Sequence, residues 1–175
     1  MTRAATASSP VSILPAAEEH LPAIEKLAGV IWRAVYPGII TDAQIDYMLA
    51  RMYAQEVLRE DMQQQVRYVR LLMGGELAGF AAYGPAAGDA VMKLHKLYLH
   101  PSRHGRGLGS RLLQHCEREV RRLGARRLIL NVNRRNAQAI AAYQRNGFRI
   151  VEEVRVDIGQ GFVMDDFIMA KDWPD

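Results

Sequence analysis

Cysteine is nearly absent from this chain: one thiol, Cys116, in 175 residues. A lone cysteine excludes an intramolecular disulfide and any zinc site built on several thiolates, and no metal is expected. Its spacing from Leu108, Leu112 and Leu123 places it on the apolar face of a helix, so Cys116 reads as core rather than as a reactive thiol. No apolar run reaches membrane-spanning length, and residues 1–10 are polar, a loose tail without a hydrophobic signal core. The expectation is a soluble, cytoplasmic protein with no membrane partner. A strong excess of one charge is also lacking. The net charge is +4, with arginines gathered between Arg103 and Arg135. That footprint suits a phosphate-bearing ligand better than a nucleic acid, and no recognition-helix pattern accompanies it.

What is present describes an ordinary globular chain. Hydrophobic residues make up 49% and charged residues 24%, which argues against disorder, and the length fits one domain, residues 11–175, without internal repeats. A first strand is expected over residues 11–14. Leu21, Ile24, Leu27, Ala28, Ile31 and Val35 recur at helical spacing, and Pro37-Gly38 ends that helix. Thr41 and Gln44 have the spacing of a capping box before a second helix, and residues 54–62 form a third. Strands over 66–73 and 77–83 join through Gly74-Gly75. Further strands cover 91–99 and 127–132, helices begin at Leu108 and Asn136, and residues 148–157 and 162–170 form a closing hairpin. This order predicts an α/β sandwich with a mixed sheet.

The most informative stretch is residues 92–113, MKLHKLYLHPSRHGRGLGSRLL. It reads as a strand stopped by Pro101, a basic glycine loop, and a helix. The unpaired N–H groups of the helix's first turn, its dipole, and Arg103, Arg106 and Arg111 together suit an anion. Two named phosphate loops are excluded. Ser110 follows Gly109 where a Walker loop needs lysine, and the dinucleotide fingerprint would need glycine at Ser110 or Leu112.

A second stretch, residues 130–148, carries the pattern N-x-x-A-x-x-x-Y-x-x-x-G-F on Asn136, Ala139, Tyr143 and Gly147-Phe148. Following strand, glycine loop, helix and strand, it resembles the GNAT superfamily of acyl-CoA-dependent N-acyltransferases, over about residues 66–171. The resemblance implies a six- to seven-stranded mixed sheet with a splayed central strand and helices on both faces. It implies acetyl-CoA as cosubstrate, its pyrophosphate on His104, Gly105, Arg106, Gly107, Leu108, Gly109 and Ser110. His104 stands where the family has glutamine or arginine. The pantetheine arm is implied along the backbone of Leu97, Tyr98 and Leu99, with Asn136 and Tyr143 near the thiol.

Alkyl amines are mostly protonated at neutral pH, so attack on a thioester needs a base or a proton path. His95 and Lys93, which share strand parity with Leu97, are the candidates, and His95 has the suitable unperturbed pKa. The Leu97 N–H would receive the oxyanion, and Tyr143 would protonate the leaving thiolate.

The acceptor site, by the same resemblance, is built from the early helices and the last hairpin. These supply Trp32, Tyr36, Tyr47 and Asp165, with Asp46, Asp157 and Asp166 nearby, an acidic and aromatic set that suits a cationic amine. A weaker similarity to bacterial polyamine acetyltransferases points the same way. Three readings stay open: acetylation of a small amine such as a polyamine, acetylation of a protein N-terminus or lysine, and a noncatalytic acyl-CoA-binding module. A homodimer also stays open.

Overall fold

The structure is a computed structural model that describes residues 9–174. Most of the expected tail, residues 1–8, lies outside the described residues. Seven strands form one sheet: β1 (Val11–Pro15), β2 (Arg67–Met73), β3 (Glu76–Pro85), β4 (Val91–Leu99), β5 (Arg127–Asn133), β6 (Arg149–Gly159) and β7 (Phe162–Asp172), in the spatial order β1-β2-β3-β4-β5-β7-β6. All neighbours are antiparallel except β4 and β5. The mixed sheet expected from the sequence is therefore present.

Helices α1 (Leu21–Val35), α2 (Asp42–Tyr53) and α3 (Gln55–Gln63) cover one face, and α4 (Leu108–Arg122) and α5 (Ala137–Arg145) cover the other. Of the predicted stripe of α1, Leu21, Ile24, Leu27, Ala28 and Ile31 are buried and pack, together with Trp32, against Tyr68, Phe80 and Ala82 of the sheet, while Val35 is half-buried. On the opposite face Leu112, Leu113, Cys116 and Val120 of α4 meet Leu94, Leu128, Leu130 and Met169. Cys116 is buried there, and burial pushes its thiol up to about 12, as a core thiol requires.

Thr41 caps α2 as expected, accepting from the Gln44 N–H at 3.2 Å. The reciprocal half of the capping box is absent. The Gln44 side chain instead donates to the Val163 carbonyl at 2.8 Å and ties α2 to β7.

Two irregularities in the sheet shape the site. The β4–β5 pairing runs only from Val91↔Arg127 to Leu94↔Leu130, although both strands continue beyond it. The strands splay from there, which leaves the β5-facing backbone of residues 95–99 without a ladder partner. In the β3–β4 ladder, Ala82 pairs with Lys96 and Tyr83 with Leu94, so His95 is the extra residue of a bulge.

Candidate active site

The splay opens into a cavity of about 610 Å³ that reaches from the glycine loop, between β4 and β5, to the ends of α1, α2 and α3. Its loop end is made by Gly107, which caps α4 in the left-handed conformation at φ 72°. A Cβ at Gly105 or Gly107 would meet nothing within 4 Å, so the space above the loop is open. Only at Arg111 does the helix ladder begin, its N–H bonding the Gly107 carbonyl at 3.0 Å. The N–H groups of Leu108, Gly109 and Ser110 precede that bond and form an anion cradle of the kind a pyrophosphate needs. All three residues line the cavity, with His104, Gly105 and Gly107; Arg106 is exposed beside it.

His104 Nε2 lies 3.2 Å from the Leu99 carbonyl oxygen and ties the loop back to the end of β4. The side chain thus anchors the loop while the backbone faces the anion site. Asn146, which sequence reasoning missed, donates to Ser110 Oγ at 3.1 Å and to the Ala142 carbonyl at 2.8 Å, locking α5 to the first turn of α4. Asn136 caps α5 by accepting the Ala139 N–H at 3.2 Å, which fixes where the helix starts. Two turns further along, Tyr143 faces the cavity with its ring edge-on to Phe148. Burial, then Tyr36 and Cys116, raise its pKa, so the hydroxyl holds its proton throughout the neutral range.

The other end of the cavity is aromatic. Trp32 stacks on Tyr36 at 4.2 Å between ring centres, and the Tyr36 and Tyr98 hydroxyls stand 3.5 Å apart. Tyr98 belongs to this wall through its ring, which also meets Tyr53 and Phe80, while Leu97 and Leu99 pack toward α4.

Charged groups stand on the same wall. Lys96, only 6% exposed, places Nζ 2.7 Å from Asp61 Oδ2 and 5.4 Å from the ring centres of Tyr53 and Tyr68; the Tyr68 hydroxyl donates to the same carboxylate oxygen. Neither Lys96 nor Asp61 was legible as a site residue, since they lie 35 positions apart in the chain.

Expected parity fails on β4. The bulge at His95 resets the alternation, so Lys96 and Tyr98 face α1–α3 whereas Leu97 faces α4. Lys93 precedes the bulge with Leu94 on the α4 side, and so does not share a face with Leu97. His95 still lines the cavity, with Nε2 shut from solvent and without a partner among the described residues. Burial, then Lys93 and Lys96, push its pKa down to about 4. A neutral imidazole at the bottom of the cleft follows.

The expected acceptor residues divide. Trp32 and Tyr36 line the cavity, but Tyr47 and Asp165 do not. Tyr47 is turned to the last hairpin: its hydroxyl donates to the Ile158 carbonyl and its ring lies 5.1 Å from that of Phe162. Asp165 pairs with Arg134 at 3.3 Å on the opposite face of β7. Strand alternation brings in its neighbour instead. Asp166, 5% exposed, lines the cavity, and burial raises its pKa against the smaller opposing pull of Asn131 and Lys93. Asp46 is held by Arg33 at 2.6 Å, and Asp157 accepts the Gly159 N–H in the hairpin turn. Arg135, also missed, donates to the Gly38 and Ile39 carbonyls at 2.8 and 2.7 Å and straps the α1–α2 loop to the start of α5.

Comparison with known proteins agrees with this geometry. A streptothricin acetyltransferase from Streptomyces lavendulae is 37% identical over 81 residues, 46% of this chain and 43% of that enzyme, so the chain matches under half of that relative's length. A spermidine N(1)-acetyltransferase from Thermoplasma acidophilum is 27% identical over 152 residues, 84% of this chain and 91% of the relative. The crystal structure of PaiA N-acetyltransferase from Thermoplasma acidophilum in complex with coenzyme A superposes with a TM-score of 0.79 at 25% identity, covering 94% of this chain and 99% of that one. Residues 32–148, from the aromatic wall of the cavity through the glycine loop to the end of α5, match the acetyltransferase (GNAT) family, and the chain belongs to that family.

Proposed function

We propose that the chain is a cytoplasmic N-acetyltransferase, one domain over residues 11–175, that moves the acetyl group of acetyl-CoA to a primary amine in a ternary complex. The observation that carries this reading is the continuity of one cavity. It has an anion cradle at the first turn of α4, an unpaired strand edge along residues 95–99, and an aromatic, charged chamber beyond Tyr143.

Each part has a chemical role. The N–H groups of Leu108, Gly109 and Ser110 hold the pyrophosphate. The free edge of β4 bonds the pantetheine amides as a further strand would, and the Leu97 N–H takes the developing oxyanion charge. The Tyr143 hydroxyl, held protonated, gives its proton to the leaving thiolate. His95 Nε2, neutral and unpartnered, accepts the proton that the amine sheds on attack, a step that its low basicity suits only once the nitrogen has become acidic.

The acceptor is a small cationic amine such as a polyamine. Asp166 and the Trp32–Tyr36–Tyr98 wall favour a second positive charge held away from the reacting nitrogen. The similarity to the spermidine enzyme of Thermoplasma acidophilum over most of both chains supports the same class.

Release of free CoA thiol, measured over a panel of diamines, polyamines, monoamines, amino acids and N-terminal peptides, tests this. Turnover highest on di- and polyamines is expected. Turnover confined to peptides would move the assignment to protein acetylation. Tight acetyl-CoA binding with no turnover on any amine would make the chain an acyl-CoA-binding module.

A further inference from the structure

Strand β6 is the outer edge of the sheet, bonded to β7 on one side only. It is eleven residues long and carries three of the six most exposed large apolar side chains among the described residues: Ile150, Val151 and Val156, the last 51% exposed. Long exposed edges are templates for further pairing unless something blunts them. Here bulges interrupt the β6–β7 register between Ile150 and Glu152 and between Asp157 and Gly159. These confine the regular edge to residues 152–157, the sequence Glu-Glu-Val-Arg-Val-Asp.

We propose that this segment pairs antiparallel with the same segment of a second copy of the chain, centred on Val154. Charge selects the partner and the register. Two copies that continue one sheet are related by a twofold axis normal to it, so residues placed opposite one another share a face. Opposite β7, Val154 and Val156 share the face of Asp166 and Met164, whereas Glu153 and Arg155 share that of Phe167 and Asp165. Centring the axis on Glu152, Glu153 or Arg155 sets each of those charges against itself, and centring on Val156 sets Arg155 against Asp157, which leaves Glu153 beyond the strand partner's regular end. Centring on Val154 sets Glu153 against Arg155 twice and Val154 against Val154, with no like charges opposed and residues 152–156 paired within the regular segment. Arg134 engages Glu153 through Oε2, which leaves Oε1 for Arg155 of the second copy. The two bulges stop the pairing at both ends, so the contact closes as a dimer and does not propagate.

Sedimentation of the full chain between micromolar and hundred-micromolar concentration tests this. A reversible monomer–dimer equilibrium is expected, with Arg155→Glu weakening dimerisation at least about tenfold, since two symmetric pairs change at once, and Val154→Lys weakening it as much by setting two lysines against each other on the axis. The double variant Glu153→Arg/Arg155→Glu recovers part of that loss. Unchanged far-ultraviolet circular dichroism and melting of the variants separates a lost contact from a lost fold. A parent chain that stays monomeric throughout, or a dimer indifferent to both single substitutions, overturns the proposal.

Discussion

Lys96 Nζ and Asp61 Oδ2 meet at 2.7 Å on the wall of the cavity, bringing α3 onto the central strand. The lysine is almost wholly enclosed and its pKa is lowered by burial, against the pull of Asp61 toward the charged form. Removing the carboxylate would strand a charge that water cannot reach. Asp61→Asn is therefore expected to cost about 3 kcal/mol in unfolding free energy, less any relief from solvent at the partly exposed aspartate. Denaturant unfolding measures it, and Asp61→Asn/Lys96→Met is expected to regain more than half of the loss. A single variant as stable as the parent would show that the pair does not hold α3 in place.

Tyr143→Phe keeps the ring that packs on Phe148 and removes only the proton donor. Turnover is expected to fall by about a hundredfold, the usual range for a positioned acid, while acetyl-CoA affinity by calorimetry changes less than about twofold. An unchanged rate would remove Tyr143 from the reaction.

Asp165 and Asp166 are adjacent in sequence and opposite in consequence. Asp166→Asn is expected to raise the KM for a diamine by about tenfold and to leave that of a monoamine of equal length nearly unchanged, because only the diamine has a second charge to lose. Asp165→Asn, which loses a pairing with Arg134 on the far face, is expected to change neither. Equal effects of the two variants on steady-state kinetics would refute the assignment.

His95 gives a pH signature. Above about 6.5 the imidazole is neutral whether the chain is folded or not; below that the unfolded chain takes a proton that the folded site resists down to about 4. Stability is present above the upper value, is lost as pH falls across that window, and stays lost below it. Asp166, whose pKa is raised, acts in the opposite sense in its own acidic range, so the useful quantity is the difference between parent and His95→Gln. The variant is expected to lose less stability between pH 6.5 and 4 in denaturant titrations. Parallel curves for the two proteins would mean that His95 is not held neutral.

The sequence by itself determined what depends on neighbours in the chain. The apolar stripes of α1 and α4, the Thr41 and Asn136 caps, and the left-handed glycine before α4 are all set within a few residues, where spacing and backbone preference act directly. The anion cradle was legible for the same reason, whereas Tyr143 was legible through the family resemblance of the motif that also contains Asn136. Tertiary structure alone decided what depends on register and on distant partners. A single extra residue in the β3–β4 ladder separated Lys93 from Leu97, and one step of strand alternation put Asp166 rather than Asp165 into the cavity. The contact of Tyr47 with Ile158 spans 111 positions and that of Lys96 with Asp61 spans 35, and neither leaves a local pattern. Side-chain direction on a strand reverses with each residue, so the local sequence can name a candidate while only the assembled sheet fixes the side it faces.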